Sequence, residues 1–521
     1  MKLNRLFLLA AMGLGLFACN DNDLVEGSAP NGTQEEGTTY VGLSLKFSNT
    51  SSRATGDQPI DGTENEGEGN EGLIKDVRIV VTDENDNLQY NNAITAVKNN
   101  DQEDIYIFTI QPGKKKFYAV INGNALNLNA NKELETWKGG KLPLTKKAAE
   151  LYNYNASATG GNGFLMSSTA VVEQTIQDKV SREEVEAGTA NNVEITVERA
   201  VAKVTMKLGE SIDFSKQTAT LKNLSCQIGN ADNLEYNKDG EDDAAKYKTA
   251  GTYLMAYNNN NVRETPYFNY PDASMNWEDF SQDELLDPTA QTIYTDGQAT
   301  STPTARFYCL ENTHANGEGA KNYLQGNTTF IRVKADMIPN SAKTFTYTPA
   351  TGEGGATPAS VAIADKEETG WPTSLETFYV ITDAPEQTNQ GSYVFASDLA
   401  ELYGNEAGDI TQGGETEVDK KAAAVITALA GYGYHFTNPY TNGSGYYNIW
   451  VNDMKGTDGQ YLNIAPVFRN DWYDLTITSL TLPGSPNKSL DPGQPIHPNT
   501  NVGITLTVRN WNKVNHNVNL Q

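Results

Sequence analysis

Val502-Gly503-Ile504-Thr505-Leu506-Thr507-Val508-Arg509-Asn510-Trp511-Asn512-Lys513-Val514-Asn515-His516-Asn517-Val518-Asn519-Leu520-Gln521 is the stretch on which the architecture turns. Val502, Ile504, Leu506 and Val508 fall on one face of an extended chain, and Gly503, Thr505 and Thr507 fall on the other. After Trp511, the apolar residues Val514, Val518 and Leu520 resume the alternation, with His516 among them. Terminal segments are usually polar and frayed, so two apolar strand faces here predict burial against a partner. Two partners remain open: the strand closes its own domain, or it is lent to a second subunit by edge pairing.

Working outward, Tyr40–Phe47 repeats the pattern, with Val41, Leu43, Leu45 and Phe47 alternating with Gly42, Ser44 and Lys46. Six residues later Arg53-Ala54 lies in the small, polar run Asn49–Gly56, which suits proteolysis between Arg53 and Ala54. A cut there leaves Tyr40–Phe47 held by hydrogen bonds and packing alone. Departure of that strand exposes an apolar groove with an unpaired edge, and Val502–Gln521 has the pattern to fill it on a neighbour.

Upstream, Lys2 and Arg5 precede the apolar run Leu6–Phe17, which is too short to span a bilayer. Leu16-Phe17-Ala18-Cys19 resembles a bacterial lipobox, so Cys19 is expected to carry a lipid and become the first mature residue. Asn20-Asp21-Asn22-Asp23 resembles the acidic surface-export tag of Bacteroidota lipoproteins. The expected membrane link is therefore the lipid anchor of the precursor only.

The formal charge of −27 disfavours nucleic acid and anionic membrane as partners. Cys226 and Cys309 lie on apolar strand patterns and read better as small buried hydrophobes than as metal ligands or a disulfide, although export through an oxidising compartment leaves a bridge between them open. His314, His435, His497 and His516 stand apart from one another, without metal-ligand spacing. Asn442-Gly443-Ser444-Gly445 lacks a nucleophile elbow, and no phosphate-binding glycine loop occurs. The reading is therefore of a non-enzyme without cofactor or metal. The competing reading is a glycan-binding or glycan-cleaving surface protein that stacks sugars on Trp277, Trp371 and Trp450.

Arg53–Gly72 is acidic and glycine-rich and is expected to be flexible. Val77, Ile79 and Val81 run into Asp83–Asn87, which reads as a hairpin turn rather than a calcium loop. Ile105–Ile110 and Lys116–Ile121 flank Gln111-Pro112-Gly113 and predict a second hairpin. Lys146–Tyr152 is a short helix candidate. Val193–Met206 leads out of the first domain. Thr218–Ile228, Arg306–Leu310, Thr328–Lys334, Phe378–Thr382 and Tyr473–Leu482 are further strands, and Asp419–Gly431 is the best helix, stopped by Gly431. Residues 229–300, 339–375 and 383–416 read as long loops. The fold class is mainly β: two successive β-sandwiches with long loops and a few short helices.

Several segments together carry a family resemblance: Met1-Lys2-Leu3-Asn4 with the lipobox, Val197-Glu198-Arg199-Ala200-Val201-Ala202-Lys203-Val204 within Val193–Met206, and Leu310-Glu311-Asn312-Thr313-His314. Gly326-Asn327-Thr328 before Phe330–Ala335, Val467-Phe468-Arg469-Asn470 through Leu480, and Trp511-Asn512-Lys513-Val514 complete the set. The chain resembles the FimA/Mfa-like fimbrillins of Bacteroidales, most closely the major subunits of short fimbriae. The resemblance implies two transthyretin-like sandwiches and a type V pilus at the cell surface that serves adhesion and biofilm formation. It implies a lipoprotein precursor at the outer membrane, cut after Arg53 by a trypsin-like surface protease. The C-terminal strands of one copy then fill the groove of the next. The implied divisions are residues 1–19 (signal), 20–53 (propeptide), 54–72 (flexible), 73–205 and 206–501 (sandwiches) and 502–521 (donor strands). Implied partners are copies of itself, accessory and anchor fimbrial subunits, and host or bacterial surface receptors. An accessory, tip or anchor role is the alternative to a stalk role.

Overall fold

Alternating β-branched and aromatic residues build the first half strand by strand. The computed structural model describes residues 37–513 apart from several segments, the longest being 48–59, 124–142, 145–162 and most of 232–289. In chain order the strands are β1 (Thr39–Phe47), β2 (Ile60–Glu66), β3 (Val77–Asp83), β4 (Leu88–Ile94), β5 (Val97–Lys98) and β6 (Asp104–Ile110). They continue with β7 (Gly113–Ile121), β8 (Pro143–Leu144), β9 (Met166–Ser168), β10 (Val172–Ile176), β11 (Asn192–Arg199) and β12 (Val201–Leu208). The short helix α1 (Arg182–Glu186) carries a capping box: Ser181 and Glu184 each accept from the other's backbone N–H.

Among the described residues a nine-stranded sheet runs β4-β3-β7-β9-β11-β1-β6-β5, with β10 added on β7. It curls over on itself: Tyr90 of β4 and Phe108 of β6 are far apart in this order, yet their rings sit 4.5 Å apart. One apolar cluster, including Val41, Leu43, Ile79, Phe117, Val120 and Ile195, fills the space between the two layers. The Asp83–Asn87 hairpin forms as read, closed by the Asp83 carboxylate, which accepts from the Asn85 and Asn87 backbones and from the Asn87 side chain. The second expected hairpin does not form. β6 pairs with β1 and β5, whereas β7 pairs with β3, β9 and β10. Pro112 and Gly113 (φ 108°) turn the chain between layers instead of between neighbours. A Pro-Gly turn signal fixes a reversal, not which strands then pair.

The second half continues with β13 (Ala219–Gly229), β14 (Glu235–Tyr236), β15 (Tyr247–Lys248), β16 (Thr252–Tyr253), β17 (Gln291–Thr295), β18 (Ala305–Leu310), β19 (Phe330–Pro339) and β20 (Lys343–Thr348). After these come β21 (Ser360–Asp365), β22 (Phe378–Asp383), β23 (Tyr393–Phe395), β24 (His435–Phe436), β25 (Ser444–Trp450), β26 (Asp471–Leu480) and β27 (Val502–Lys513). Sheets ordered β18-β12-β26-β27-β2 and β17-β13-β19-β25 face each other across a second core that includes Val204, Leu224, Cys226, Val333, Tyr447, Tyr473 and Leu475. Cys226 and Cys309 are free thiols in this core, and burial pushes the Cys226 thiol up to about 12.

All three expected loops hold structure: residues 229–300 contain β14 to β17, of which β17 pairs with β13. β20 and β21 form a hairpin, β22 pairs with β23 and β24, and the helices α2 (Ala396–Ala400) and α3 (Val418–Leu429) pack with them around a third cluster. Ala422, Val425 and Leu429 are the buried stripe of α3. The α-helix ends at Leu429, and a 3-10 turn (Ala430–Tyr432) carries the chain through Gly431, so that Gly433, two residues beyond the expected stop, supplies the left-handed residue (φ 86°). The acidic segment before residue 72 also differs from the expected flexibility, because Ile60–Glu66 is the strand β2 and Glu71 is fully buried. Lys146–Tyr152 lies outside the described residues.

Candidate functional site: a mid-sheet strand and a C-terminal strand

β1 sits inside its sheet, parallel to β11 on one side and antiparallel to β6 on the other. Leu43 stands opposite Val193 and Tyr106 in these two registers. Val41 and Leu43 are wholly buried, and Leu45 and Phe47 pack against the same core while half-buried. The start of the strand is the best fastened. Thr39 Oγ1 accepts from the Val180 N–H at 2.9 Å, and Asn191 Nδ2 donates to the Tyr40 carbonyl at 2.9 Å. The Gly42 N–H donates to the Asn191 carbonyl at 3.1 Å. The end is looser, with the exposed pair Lys46–Glu194 at 3.5 Å, a contact of little energetic weight.

The polar face of β1 is covered by α1. A Cβ placed on Gly42 would lie 2.4 Å from Val185 Cγ1, 2.6 Å from Ile105 Cδ1 and 3.0 Å from Asn192 Oδ1. No side chain fits there, so glycine is what lets the helix close down on the sheet. Val185, Ile105 and Val180 form a small apolar cluster of their own beneath it.

β27 lies antiparallel to β26, with Leu506 opposite Leu475, Ile504 opposite Ile477 and Val502 opposite Leu480. Val502 is buried in the second core, and Ile504 and Leu506 pack on its margin. Val508 stands opposite Tyr473 and Trp511 belongs to the same strand. In this structure β27 thus pairs with its own chain, the first of the two partners left open by the sequence. β2 adds to it in parallel, Ile60 opposite Val508 and Glu66 opposite Lys513. Cys19, Arg53, Ala54, Val514, Val518 and Leu520 lie outside the described residues. In sequence, residues 48–59, which include Arg53, join β1 of the first sheet to β2 of the sheet that faces the second core.

Sequence reasoning missed a buried ionic junction. Lys203 Nζ meets Glu71 Oε2 at 3.0 Å, Tyr308 OH donates to Glu71 Oε1 at 2.6 Å, and Arg199 Nε donates to the Glu71 carbonyl at 3.1 Å. Lys203 also lies 4.0 Å over the Trp472 ring. Arg469 Nε reaches Glu311 at 2.8 Å and Glu198 at 3.8 Å, and Arg199 donates to Asn470 at 3.1 Å. Glu71, Arg199, Lys203, Glu311 and Arg469 are all fully buried. Burial holds the Lys203 ammonium below the usual lysine range, against the pull of Glu71. The signal was present: charged residues inside the otherwise apolar run Val193–Met206. The three sequence segments around Glu198–Lys203, Glu311 and Arg469–Asn470 converge here, where one core gives way to the next.

Among the described residues no aromatic platform is assembled. Trp450 is buried and donates its indole N–H to the His497 carbonyl at 2.8 Å, Trp371 packs edge-on against Phe395 in the second core, and Trp277 lies outside the described residues. Among the described residues no three His, Cys, Asp or Glu side chains gather in a metal-binding group, and no helix is long and apolar enough to cross a membrane.

Residues 42–199 match the family model of the major fimbrial subunit protein FimA, and residues 438–517 match that of the C-terminal part of the type IV major fimbrial subunit, fimbrillin. The first match begins within β1 and ends with β11, and the second takes in β25, β26 and β27. These matches bear out the fimbrillin resemblance read from the sequence. Among solved structures, the C-terminally truncated tip fimbrial protein of Porphyromonas gingivalis is similar at 12% identity and a TM-score of 0.33, covering 91% of this chain and 100% of its own. A candidate cell adhesion protein of Parabacteroides distasonis is similar at 13% identity and a TM-score of 0.39, covering 91% and 99%. The fimbrial anchor protein of Porphyromonas gingivalis covers 57% of this chain and 77% of its own, at 12% identity and a TM-score of 0.24.

Proposed function

We propose that this chain, a fimbrial subunit of the fimbrillin family and part of a cell-surface fimbrium, is the stalk subunit of a type V pilus that polymerises by strand exchange. Family membership makes its role structural and adhesive, and its partners other fimbrial subunits. In the proposed cycle a lipoprotein precursor anchored at Cys19 reaches the outer membrane, and a trypsin-like protease cuts between Arg53 and Ala54. β1 then leaves, and the segment from Val502 onward of a second copy takes its place. Stalks built this way would support adhesion to host or bacterial receptors and biofilm formation.

One observation carries this reading: β1 is an interior strand whose only downstream covalent tie in the chain is residues 48–59, which hold Arg53. An edge strand could leave without consequence. An interior strand leaves two unpaired backbone edges, on β11 and β6, and an apolar floor around Val193 and Phe108. Such a slot is costly to leave open and accepts an extended segment with apolar residues at alternate positions. Val502–Val508 is such a segment. Its pairing with β26 supports a resting state in which the donor is stored on its own sheet until a groove opens elsewhere.

Arg53→Ala tests the cycle. The variant precursor should fold, retain β1 and remain monomeric, and wild-type fibres should yield an N-terminal sequence starting at Ala54. Fibres whose subunits begin near Cys19 would overturn the proposal.

A further inference from the structure

Replacing one strand by another leaves the register undetermined. A shift by one residue turns the apolar face outward and is excluded by burial. A shift by two keeps the faces correct and needs some other stop. We infer that Gly42 and Gly503 are that stop: the glycine of the donor enters the slot vacated by the glycine of β1, and this alone sets how far the strand slides. The inference rests on the strand-exchange reading above.

Two observations meet here. The first is the wall over Gly42. Val185, Ile105 and Asn192 belong to α1, β6 and β11, all of which follow the Arg53 site and stay behind when β1 departs. Any residue with a Cβ at this position would press against Val185 Cγ1 at 2.4 Å and Ile105 Cδ1 at 2.6 Å. The second is the donor itself. Val502–Lys513 contains one glycine, Gly503. With Gly503 on the Gly42 slot, Val41-Gly42-Leu43-Ser44-Leu45-Lys46-Phe47 is matched by Val502-Gly503-Ile504-Thr505-Leu506-Thr507-Val508. Every apolar position meets an apolar residue, Ser44 meets Thr505, and the exposed Lys46 meets Thr507. The match holds only in the N-to-C direction, so the donor runs parallel to β11, as β1 does. A two-residue shift would drive the β-branched Thr505 into the glycine slot. Gly503 has a second use on its own sheet, where a Cβ would lie 2.3 Å from Ser479 Oγ beside the irregularity at Ile477–Ser479. The same residue therefore fits both places the strand occupies.

The test reads register directly. In this register Thr505 of one copy takes the place of Ser44 and lies beside Glu194 of the next copy, at a strand spacing of about 4.8 Å that a disulfide can span. Mild oxidation of cleaved, polymerised Thr505→Cys/Glu194→Cys should give a disulfide-linked ladder, and Thr507→Cys/Glu194→Cys should give none. Gly503→Ala should cut filament yield at least tenfold. Combining it with Val185→Ala and Ile105→Val, which remove the two obstructing carbons, should restore filaments, which a variant that merely misfolds its own sheet would not do. Cross-linking through position 507, wild-type filament yield from Gly503→Ala, or failure of the widened slot to rescue would each overturn the register. Absence of filaments from the cleaved wild-type chain would instead bring down strand exchange itself, and the register with it.

Discussion

Leu43→Ala separates what β1 does before cleavage from what remains after it. Leu43 is fully buried at the centre of an interior strand, facing the first core and flanked by Val193 and Tyr106. Val41 and Ile79 of the same core cluster are equally buried, and such a packed core leaves little room for collapse. Truncation of such a leucine costs about 2–5 kcal/mol, the lost transfer energy plus the cavity left behind. At about 1.36 kcal/mol per factor of ten, the fraction of precursor with the strand released should rise roughly 30- to 5,000-fold. Urea titration of the uncleaved chain should show the first half unfolding at lower denaturant by that amount. Cleavage then removes residue 43 from the subunit. Leu43→Ala chains should therefore polymerise at least as fast as wild type once cut, and their filaments should dissociate at the wild-type temperature. Unchanged precursor stability, or filaments that melt early, would refute the argument, the latter because it requires β1 to persist in the fibre.

Two further substitutions probe features outside the exchange. Lys203→Met leaves the buried Glu71 carboxylate without its cation and should cost about 3–5 kcal/mol, measured by the urea midpoint. The folded Lys203 value lies below the unfolded 10.5, so the unfolded chain binds more protons in that window and this site's contribution to stability rises with pH through it; the variant should lack the rise. Asp83 is held below the usual aspartate range, chiefly by the Asn87 side chain. The support it gives its turn is present above the unfolded value of 3.8 and lost as pH falls through the lower folded value, and Asn87→Ala should move the Asp83 titration, followed by NMR, back up toward 3.8.

The strands that alternate cleanly were legible in the sequence. Val77–Val81, Arg306–Leu310 and Tyr473–Leu480 carry their burial in their own period, and β1 and β27 were found in the same way. What failed was information held by distant partners. Glu71 reads as one more acid in a flexible run because its cation lies 132 residues away and its phenol 237. β6 and β7 were joined by their turn, but β1 took the place beside β6. The hairpin Lys343–Asp365 reads as loop because its exposed positions carry only small or polar residues and its inward residues, Phe345 and Ile363, meet a small cluster shared with α3. The choice for β27 between its own sheet and a neighbour's was invisible to periodicity, since both surfaces ask for the same alternation.

The residues between β1 and β2 have a kinetic meaning. In the proposed cycle residues 48–59 would keep a released β1 at an effective concentration on the order of millimolar, so an uncut strand would rebind before another copy's tail finds the slot. Cutting at Arg53 breaks none of the contacts that seat Val41 and Leu43. It would turn an intramolecular return into a bimolecular one, because the released propeptide, residues 19–53 with the lipid on Cys19 in the proposed cycle, is no longer joined to the subunit. Proteolysis would then act as a ratchet, committing each subunit once its displaced strand no longer belongs to the same chain.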